Sequence, residues 1–352
     1  MDPLIVAIDA RLVGSRHTGD ASYWNGLVRG LAGTDHATRI YLCSNQARPA
    51  NVPDDPRLIW THVPGQGRLW SLWHFPQAAK KLGAQVVHTQ YSLSPLVRRG
   101  GVTTIHDVSF YIGPEWFQPR DRLLLQKTLP GTVRRAARVI TVSETSKGEI
   151  EHYIPAARGK VRVTPNALGT NITPFASDEV AARLARLGVA PPYVLTVGTR
   201  WPRKNMGLAI AAAQQAGVTC VVTGQPGWGE LPEGAVMTGY VDDADLTALY
   251  QGASLYLAPS HHEGFGIPLL EAFACNCPVV ANRGGALPEV GGDAAAYPEA
   301  ATPEAWAATI RDLLANSGRL EQMRHLGRAR LAQYDWNETA RLTLEVYEQA
   351  RR

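Results

Sequence analysis

The chain alternates short apolar runs with longer amphipathic stretches from end to end, and few architectures tolerate that alternation. LIVAI (4–8), RIYLC (39–43), RLIWTHV (57–63), QVVHT (85–89), VTTIH (102–106) and RVITV (138–142) read as strands, with helices near 21–32, 74–82, 119–137 and 144–152. The second half repeats the pattern: YVLTVG (193–198), VTCVVTG (218–224), AVMTG (235–239), SLYLAPS (254–260) and PVVA (278–281) alternate with helices near 205–215, 242–251, 267–275 and 302–315. Strands lacking a polar face are buried on both sides, as in parallel sheets covered by helices, so an α/β protein of Rossmann type is expected. The 352 residues exceed the roughly 250 to 300 that one core usually holds. Two such domains in series are therefore expected, joined near TPNALGTNITPFASD (164–178), where Pro, Gly, Asn and Ser cluster and periodicity lapses. Ligands of these sheets bind beyond the carboxyl ends of the strands, so a two-domain form puts its site in the cleft between domains.

Charge is unevenly shared. Residues 1–170 carry 21 Lys and Arg against 12 Asp and Glu, a balance of +9, leaving 14 against 19, or −5, for residues 171–352. The basic half is expected to meet something anionic. Its short clusters (Lys80 and Lys81, Arg98 and Arg99, Arg134, Arg135 and Arg138), with Trp116 and Phe117, suit a membrane surface or a charged acceptor. No stacking-aromatic or DNA-binding pattern accompanies them, so nucleic acid is not expected. No apolar run approaches the roughly 18 residues of a membrane span. MDPLIVAIDARL has no basic leader and reads as a first strand. Cys43, Cys220, Cys275 and Cys277 show neither a disulfide framework nor paired zinc spacing, which fits a reducing cytoplasm.

Four loops at strand ends carry the chemistry. In VGSRHTGDASYWNGL (13–27), Gly14 and Gly19 allow close approach to a phosphate and a helix starting near Asp20 aims free amides at it, although simple turn chemistry would also use these glycines. The loop is not GxGxxG, which argues against a dinucleotide. TTIHDVSF (103–110) puts His106 at a strand end, facing either a sugar hydroxyl or its neighbour Asp107. VGTRWPRKN (197–205) packs Arg200, Arg203 and Lys204 ahead of a helix, where the dipole favours acids; a bound diphosphate would resolve that conflict. HHEGFGIPLLEA (261–272) sets Glu263 and Glu271 on either side of Gly264-Phe265-Gly266-Ile267, with Pro268 at the helix start and Glu271 expected in its first turn. Free amides of that turn can take phosphate, and the two carboxylates can accept pairs of sugar hydroxyls.

The chain at this point resembles the retaining glycosyltransferases of the GT-B fold, family four, which move a sugar from a nucleotide-sugar to an acceptor hydroxyl. EGFGIPLLEA has that family's two glutamates separated by seven residues. GTRWPRKN, RVTPNALG (162–169), ITVSETSKGEI (140–150), TGYVDDADLTALYQGASLYLAPS (238–260) and NRGGALPEVGGDAA (282–295) have the look and order of family segments. The Arg-Lys-Asn form is similar to mannosyl- and rhamnosyltransferases. One departure stands out: Gly-Asp-Ala-Ser-Tyr (19–23) replaces the Gly-Ile-Gly-Arg-Tyr common in such members.

The resemblance implies two Rossmann-like domains facing a central cleft, 1–170 for the acceptor and 171–335 for the nucleotide-sugar, with a C-terminal helix at 336–352 bracing the first. It implies that Glu271 holds the ribose, and that Glu263 with Gly264, Phe265 and Gly266 meets the transferred sugar or its phosphates. Arg203 and Lys204, with Arg200, would hold the diphosphate, Gly19 would lie against the pyrophosphate, His106 near the reacting sugar, and Tyr240 and Val241 beside the base. His106, Arg203, Lys204 and Glu263 are the expected catalytic set. The expected reaction is retaining and metal-independent, using a GDP-, UDP- or TDP-linked donor and no cofactor. The acceptor would be a sugar, lipid-linked sugar or glycoconjugate in polysaccharide synthesis, at the cytoplasmic face of a membrane. Asp242-Asp243-Ala244-Asp245 sits where acids suit a helix dipole, so no metal site is expected there. A sugar-nucleotide epimerase and a non-catalytic sugar-nucleotide-binding protein are the alternatives.

Overall fold

A computed structural model describes residues 3–15, 19–169, 172–229 and 231–351. The chain divides into two compact units, one of Met1–Ala167 with Asp335–Arg352, the other of Leu168–Tyr334. The boundary expected at residues 170 and 171 and the Arg16–Thr18 part of the first loop lie outside the described residues.

The first unit is a seven-stranded parallel sheet: β1 (Ile5–Asp9), β2 (Arg39–Ser44), β3 (Leu58–His62), β4 (Val86–Gln90), β5 (Gly101–Thr104), β6 (Arg138–Thr141) and β7 (Val161–Val163), in the order β3-β2-β1-β4-β5-β6-β7. The order reverses between β1 and β4, which pair with Ala7 opposite Val87. Central strands are buried on both faces, as their unbroken apolar runs require. β7 was not expected; three residues ahead of Pro165 are too few to show a period. The helix expected at 74–82 begins earlier, as a continuous helical segment Gly67–Lys81 with a π turn at Trp70–His74. LWSLWHF is apolar all round, so no face marks it as a helix.

The C-terminal helix Trp336–Arg351 packs on the Gly19–Gly33 helix. Gly26 permits this: a Cβ there would lie 2.0 Å from the Trp336 ring, and one at Gly30 would lie 2.0 Å from the Trp336 carbonyl oxygen. The contact closes the first unit, because Tyr347 then brings its hydroxyl to 2.7 Å from His88 Nδ1 on β4.

The second unit is a six-stranded parallel sheet: β8 (Tyr193–Val197), β9 (Thr219–Thr223), β10 (Ala235–Gly239), β11 (Leu255–Ala258), β12 (Val279–Ala281) and β13 (Ala295–Ala296), in the order β10-β9-β8-β11-β12-β13. Its order reverses between β8 and β11. The helix Ser317–Leu331 was not expected, because its charged sequence presents only Met323 and Gly327 to the core. Among the described residues no helix is long and apolar enough to cross a membrane. All four cysteines are free and buried, and burial pushes the Cys43 and Cys220 thiols up to about 12.

Candidate functional site

In the second unit the loops after β8 and β11 open side by side, because those strands are neighbours at the point of reversal. After β8, a single turn Pro202–Lys204 is ended by Asn205 at φ 48°, which starts the Met206–Ala216 helix. After β11, residues 259–266 lead to the Ile267–Ala274 helix, capped by Gly266 at φ 102°. The two loops are stitched together, since His261 N–H donates to the Arg203 carbonyl at 2.8 Å and Arg203 Nη1 donates to the His262 carbonyl.

Glu263 sits on that seam. Lys204 Nζ lies 2.6 Å from its Oε1, Ser260 Oγ donates to the same oxygen at 2.6 Å, and Arg203 Nη1 lies 3.1 Å from Oε2. The three charged side chains are only 13–15% exposed. Burial pushes the Glu263 carboxyl upward, but Lys204 and Arg203 outweigh it and hold the group well below the usual carboxylate range. Two cations converge on one carboxylate in a place where water screens charge poorly. Gly285, at φ 58°, lets residues 282–286 press onto the same spot: a Cβ there would lie 2.3 Å from the Glu263 carbonyl oxygen. The Ala286 N–H donates to that oxygen at 2.8 Å.

Glu271 is not in the first turn of its helix, as expected, but in the second, because the helix begins at Ile267. Dipole complementation fades beyond the first turn, so it does not account for an acid here. The side chain is 7% exposed and accepts a hydrogen bond at 3.0 Å from the buried Tyr250 hydroxyl. Burial raises the carboxyl, Tyr250 pulls it down and Asp243 raises it again, leaving it at about 7. A group poised between its charged and neutral forms at neutral pH, buried beside a cationic seam, is the kind of carboxylate that sites use.

The other expected positions make contacts of their own. Arg200 is tied through its backbone to the segment behind it, accepting from Gly229 N–H at 2.8 Å and donating to the Gln225 carbonyl at 3.2 Å. Phe265 is 5% exposed and its ring meets Tyr334 edge-on at 5.3 Å, so it anchors the loop. Tyr240 and Val241 follow the edge strand β10, two strands away from β8. Asp242 caps the Asp243–Gly252 helix by accepting from Asp245 N–H at 2.8 Å, and Asp245 pairs with Arg183 at 2.9 Å, so these acids serve the helix. Among the described residues no group of three His, Cys, Asp or Glu side chains is placed to share a metal ion.

In the first unit, β5 ends at Thr104, and His106 lies two residues beyond it. Its Nε2 is buried without a hydrogen-bond partner among the described residues, 3.6 Å from Asp20 Oδ1, just past Gly19 at the start of its helix. The Tyr23 ring meets His106 edge-on at 4.9 Å, and the Tyr23 hydroxyl lies 3.1 Å from Thr104 Oγ1. Burial, then the neighbouring His106, pushes His88 down to about 3, which keeps it neutral between Tyr347 and Thr104. Beyond the carboxyl ends of β1, β2 and β4 lies a pocket of about 460 Å³ lined by Asp9, Arg11, Trp24, Asn45, Gln90 and Tyr91. Arg11 grips Asp9 through two bonds of 2.9 and 2.6 Å, so the pair is neutral.

Residues 185–330 match the family described as Glycosyl transferases group 1, and residues 12–171 match Glycosyltransferase Family 4. The O-antigen chain mannosyltransferase B of Escherichia coli is 31% identical over 265 residues, covering 70% of this chain and 69% of that protein. The chain belongs to the group 1, family 4 glycosyltransferases. A D-inositol 3-phosphate glycosyltransferase of Segniliparus rotundus is also 31% identical to this glycosyltransferase, over 77% of it and 62% of the relative. The crystal structure of Anabaena HepE in complex with UDP and glucose superposes with a TM-score of 0.71 at 19% identity, covering 98% and 99% of the two chains. A likeness at that identity speaks for the fold, which is GT-B.

The geometry of this glycosyltransferase adds residues that its sequence did not single out. Tyr250 stands in an apolar helical pattern and reads as core, which it also is. Ser260 gave no signal, whereas the Gly284-Gly285 pair could have been read as a place of close backbone approach. Asp9 and Arg11 stand at the end of the first strand, where an i, i+2 ion pair straddling a strand terminus could have been noticed.

Proposed function

We propose that this glycosyltransferase moves a sugar from a nucleoside-diphosphate sugar to an acceptor hydroxyl with retention of anomeric configuration, without an essential metal or cofactor. The observation that carries this is the seam in which Lys204 and Arg203, brought together by the loops after β8 and β11, converge on Glu263 beside a carboxylate at about 7. A nucleoside diphosphate leaves as an anion, so oriented cations and amides stabilise it more than a proton donor would. Arg203 and Lys204 take the diphosphate, with Arg200 and the Gly19 backbone as further contacts. Glu263 holds the two cations in place while Gly264, Phe265 and Gly266 offer backbone to the phosphates and transferred sugar. Glu271, ionised, accepts the two ribose hydroxyls, and Tyr240 and Val241 flank the base.

His106, whose buried Nε2 has no hydrogen-bond partner among the described residues, is our candidate for the residue that meets the reacting sugar, which its place beside Asp20 supports. The Asp9–Arg11 pocket takes the acceptor, its neutral pair and its amide and aromatic walls suiting an uncharged polyol. Same-face attack, in which the departing phosphate takes the acceptor's proton, gives retention without a protein nucleophile. Similarity to an O-antigen chain mannosyltransferase makes GDP-mannose the first donor to try and a bacterial surface polysaccharide the first setting, in the cytoplasm.

A thermal-shift screen against UDP, GDP, TDP and ADP tests the donor half, since a ligand at a hundredfold its Kd adds about 2.7 kcal/mol. One diphosphate should stand clear, and Glu271→Ala should abolish its shift; no shift with any of them would overturn the reading. Product formed without an acceptor would point to an epimerase, and binding without transfer to a non-catalytic role.

A further inference from the structure

The helical segment Gly67–Lys81 is apolar on both sides. Trp70, Phe75 and Ala79 are buried, with Trp70 stacked on Phe75 at 5.0 Å, yet Leu69, Leu72 and Trp73 on the same turns are 62, 48 and 52% exposed. Three large apolar side chains at i, i+3 and i+4 form one outward stripe, which a solvated helix face does not ordinarily carry. Leu96, 43% exposed, extends it. The Ser94 hydroxyl donates to the Leu72 carbonyl at 2.7 Å and accepts from Leu96 N–H at 3.1 Å, tying the two segments together.

Cations rim this stripe. Arg68, Arg98 and Arg99 are exposed, and between Asp55 and Asp107 the chain has no Asp or Glu but carries Arg57, Arg68, Lys80, Lys81, Arg98 and Arg99. Trp116 and Phe117, the aromatic pair that the sequence offered for such a role, are half-buried, Phe117 packing near Phe110 at 6.2 Å. An apolar stripe with exposed arginines next to it in the chain, Arg68 beside Leu69 and Arg98 and Arg99 just after Leu96, matches the chemistry of an anionic lipid surface, where apolar side chains enter the acyl boundary and cations meet headgroups. A second copy fits poorly, since face-to-face docking would set arginine against arginine.

We propose that the outer face of the Gly67–His74 turn, with Leu96, Arg98 and Arg99, docks this protein on an anionic lipid surface. The inner face of the same turn supports the pocket of the first unit: Arg11 lies 4.1 Å over the Trp70 ring and donates to Ser71 Oγ at 2.9 Å. A lipid-borne acceptor would thus arrive beside Asp9 and Arg11. That last step rests on the transferase reading, whereas the docking does not.

The test is co-sedimentation of the full chain with phosphatidylcholine vesicles, with and without phosphatidylglycerol, at low and high salt. The protein should pellet with the anionic vesicles at low salt, and Leu72→Ser with Trp73→Ser should weaken binding by about tenfold or more. Arg98→Glu with Arg99→Glu should weaken it by a similar factor and flatten its salt dependence. Each variant should keep the wild-type melting temperature and its transfer to a soluble acceptor. Failure to pellet at low salt, equal pelleting of wild type and the Leu72, Trp73 variant, or a vesicle-free dimer lost in that variant would overturn the proposal. No donor or turnover enters the sedimentation, so its failure is separate from failure of the transferase reading.

Discussion

The Tyr250 hydroxyl donates to Glu271 Oε2 at 3.0 Å, and both side chains are buried. That bond favours the ionised carboxylate against the burial that raises its pKa. Tyr250→Phe should therefore push Glu271 above its value of about 7 and cost about 1 kcal/mol of stability. Nucleoside-diphosphate affinity should rise with pH through the neutral range in the wild type, and later, by about a unit, in Tyr250→Phe. Glu271→Gln should bind weakly at all pH. Calorimetric titrations from about pH 6 to about pH 9 would read this, and superimposable profiles for wild type and Tyr250→Phe would remove Tyr250 from the account.

The same carboxyl makes stability fall with pH. Its folded pKa of about 7 lies above its ordinary 4.5, so its contribution is full below the ordinary value and is lost as pH climbs through the folded one. The loss amounts to about 3.5 kcal/mol, from roughly 2.5 units at about 1.4 kcal/mol each. Glu263 behaves oppositely: held below the ordinary range, it contributes above 4.5 and loses that contribution as pH falls. Urea unfolding at about pH 5 and about pH 8 should show Glu271→Gln gaining on the wild type at the higher pH. Parallel curves would mean that Glu271 is ionised throughout.

Lys204 and Arg203 compete for one carboxylate, so removing Lys204 alone leaves Glu263 with Arg203 and Ser260. Lys204→Met should cost about 1 to 3 kcal/mol, less than the several expected when a buried charge loses every partner. Diphosphate affinity should fall by at least about tenfold. Adding Glu263→Gln should return part of the stability but not the affinity. A double variant that binds like the wild type would mean that Lys204 serves only to neutralise Glu263.

The sheets and the loop glutamates were legible because their signals are local. LIVAI, QVVHT and YVLTVG are buried on both faces and read so, and EGFGIPLLEA carries its two carboxylates in a single stretch. The pairing of Lys204 with Glu263 was not legible, because it joins residues 59 apart through the adjacency of β8 and β11. Glu271 was placed one turn too early, since Pro268 marks a helix start without fixing which residue begins it. The helical turn at 67–74 was missed for the reason that makes it informative: both of its faces are apolar, so no period stands out.

Gly26 sets how closely the C-terminal helix approaches. A methyl group would lie 2.0 to 2.4 Å from three atoms of the Trp336 ring, so Gly26→Ala must displace that indole or the helix bearing it. A loss of about 1 to 3 kcal/mol follows from overpacking. Hydrogen exchange should quicken along Trp336–Arg351 and around His88, which bonds Tyr347 on that helix. An unchanged melting temperature would show that the ring yields at no cost.

Asp9 decides the charge of the first unit's pocket. It holds the Arg11 guanidinium through bonds of 2.9 and 2.6 Å, while Ser71 and the Trp70 ring fix the arginine from the other side. Asp9→Asn keeps the shape and leaves Arg11 in place, but removes the charge that neutralises it. A pocket suited to an uncharged polyol then gains a fork that fits phosphate or carboxylate. The ratio of kcat/KM for a phosphorylated acceptor over its unphosphorylated counterpart should rise about tenfold, the equivalent of roughly 1.4 kcal/mol. Donor affinity should not move, because neither Asp9 nor Arg11 is among the proposed donor contacts. A wild type that already favours the phosphorylated acceptor, or a ratio indifferent to Asp9, would show that the pair does not select the acceptor's charge.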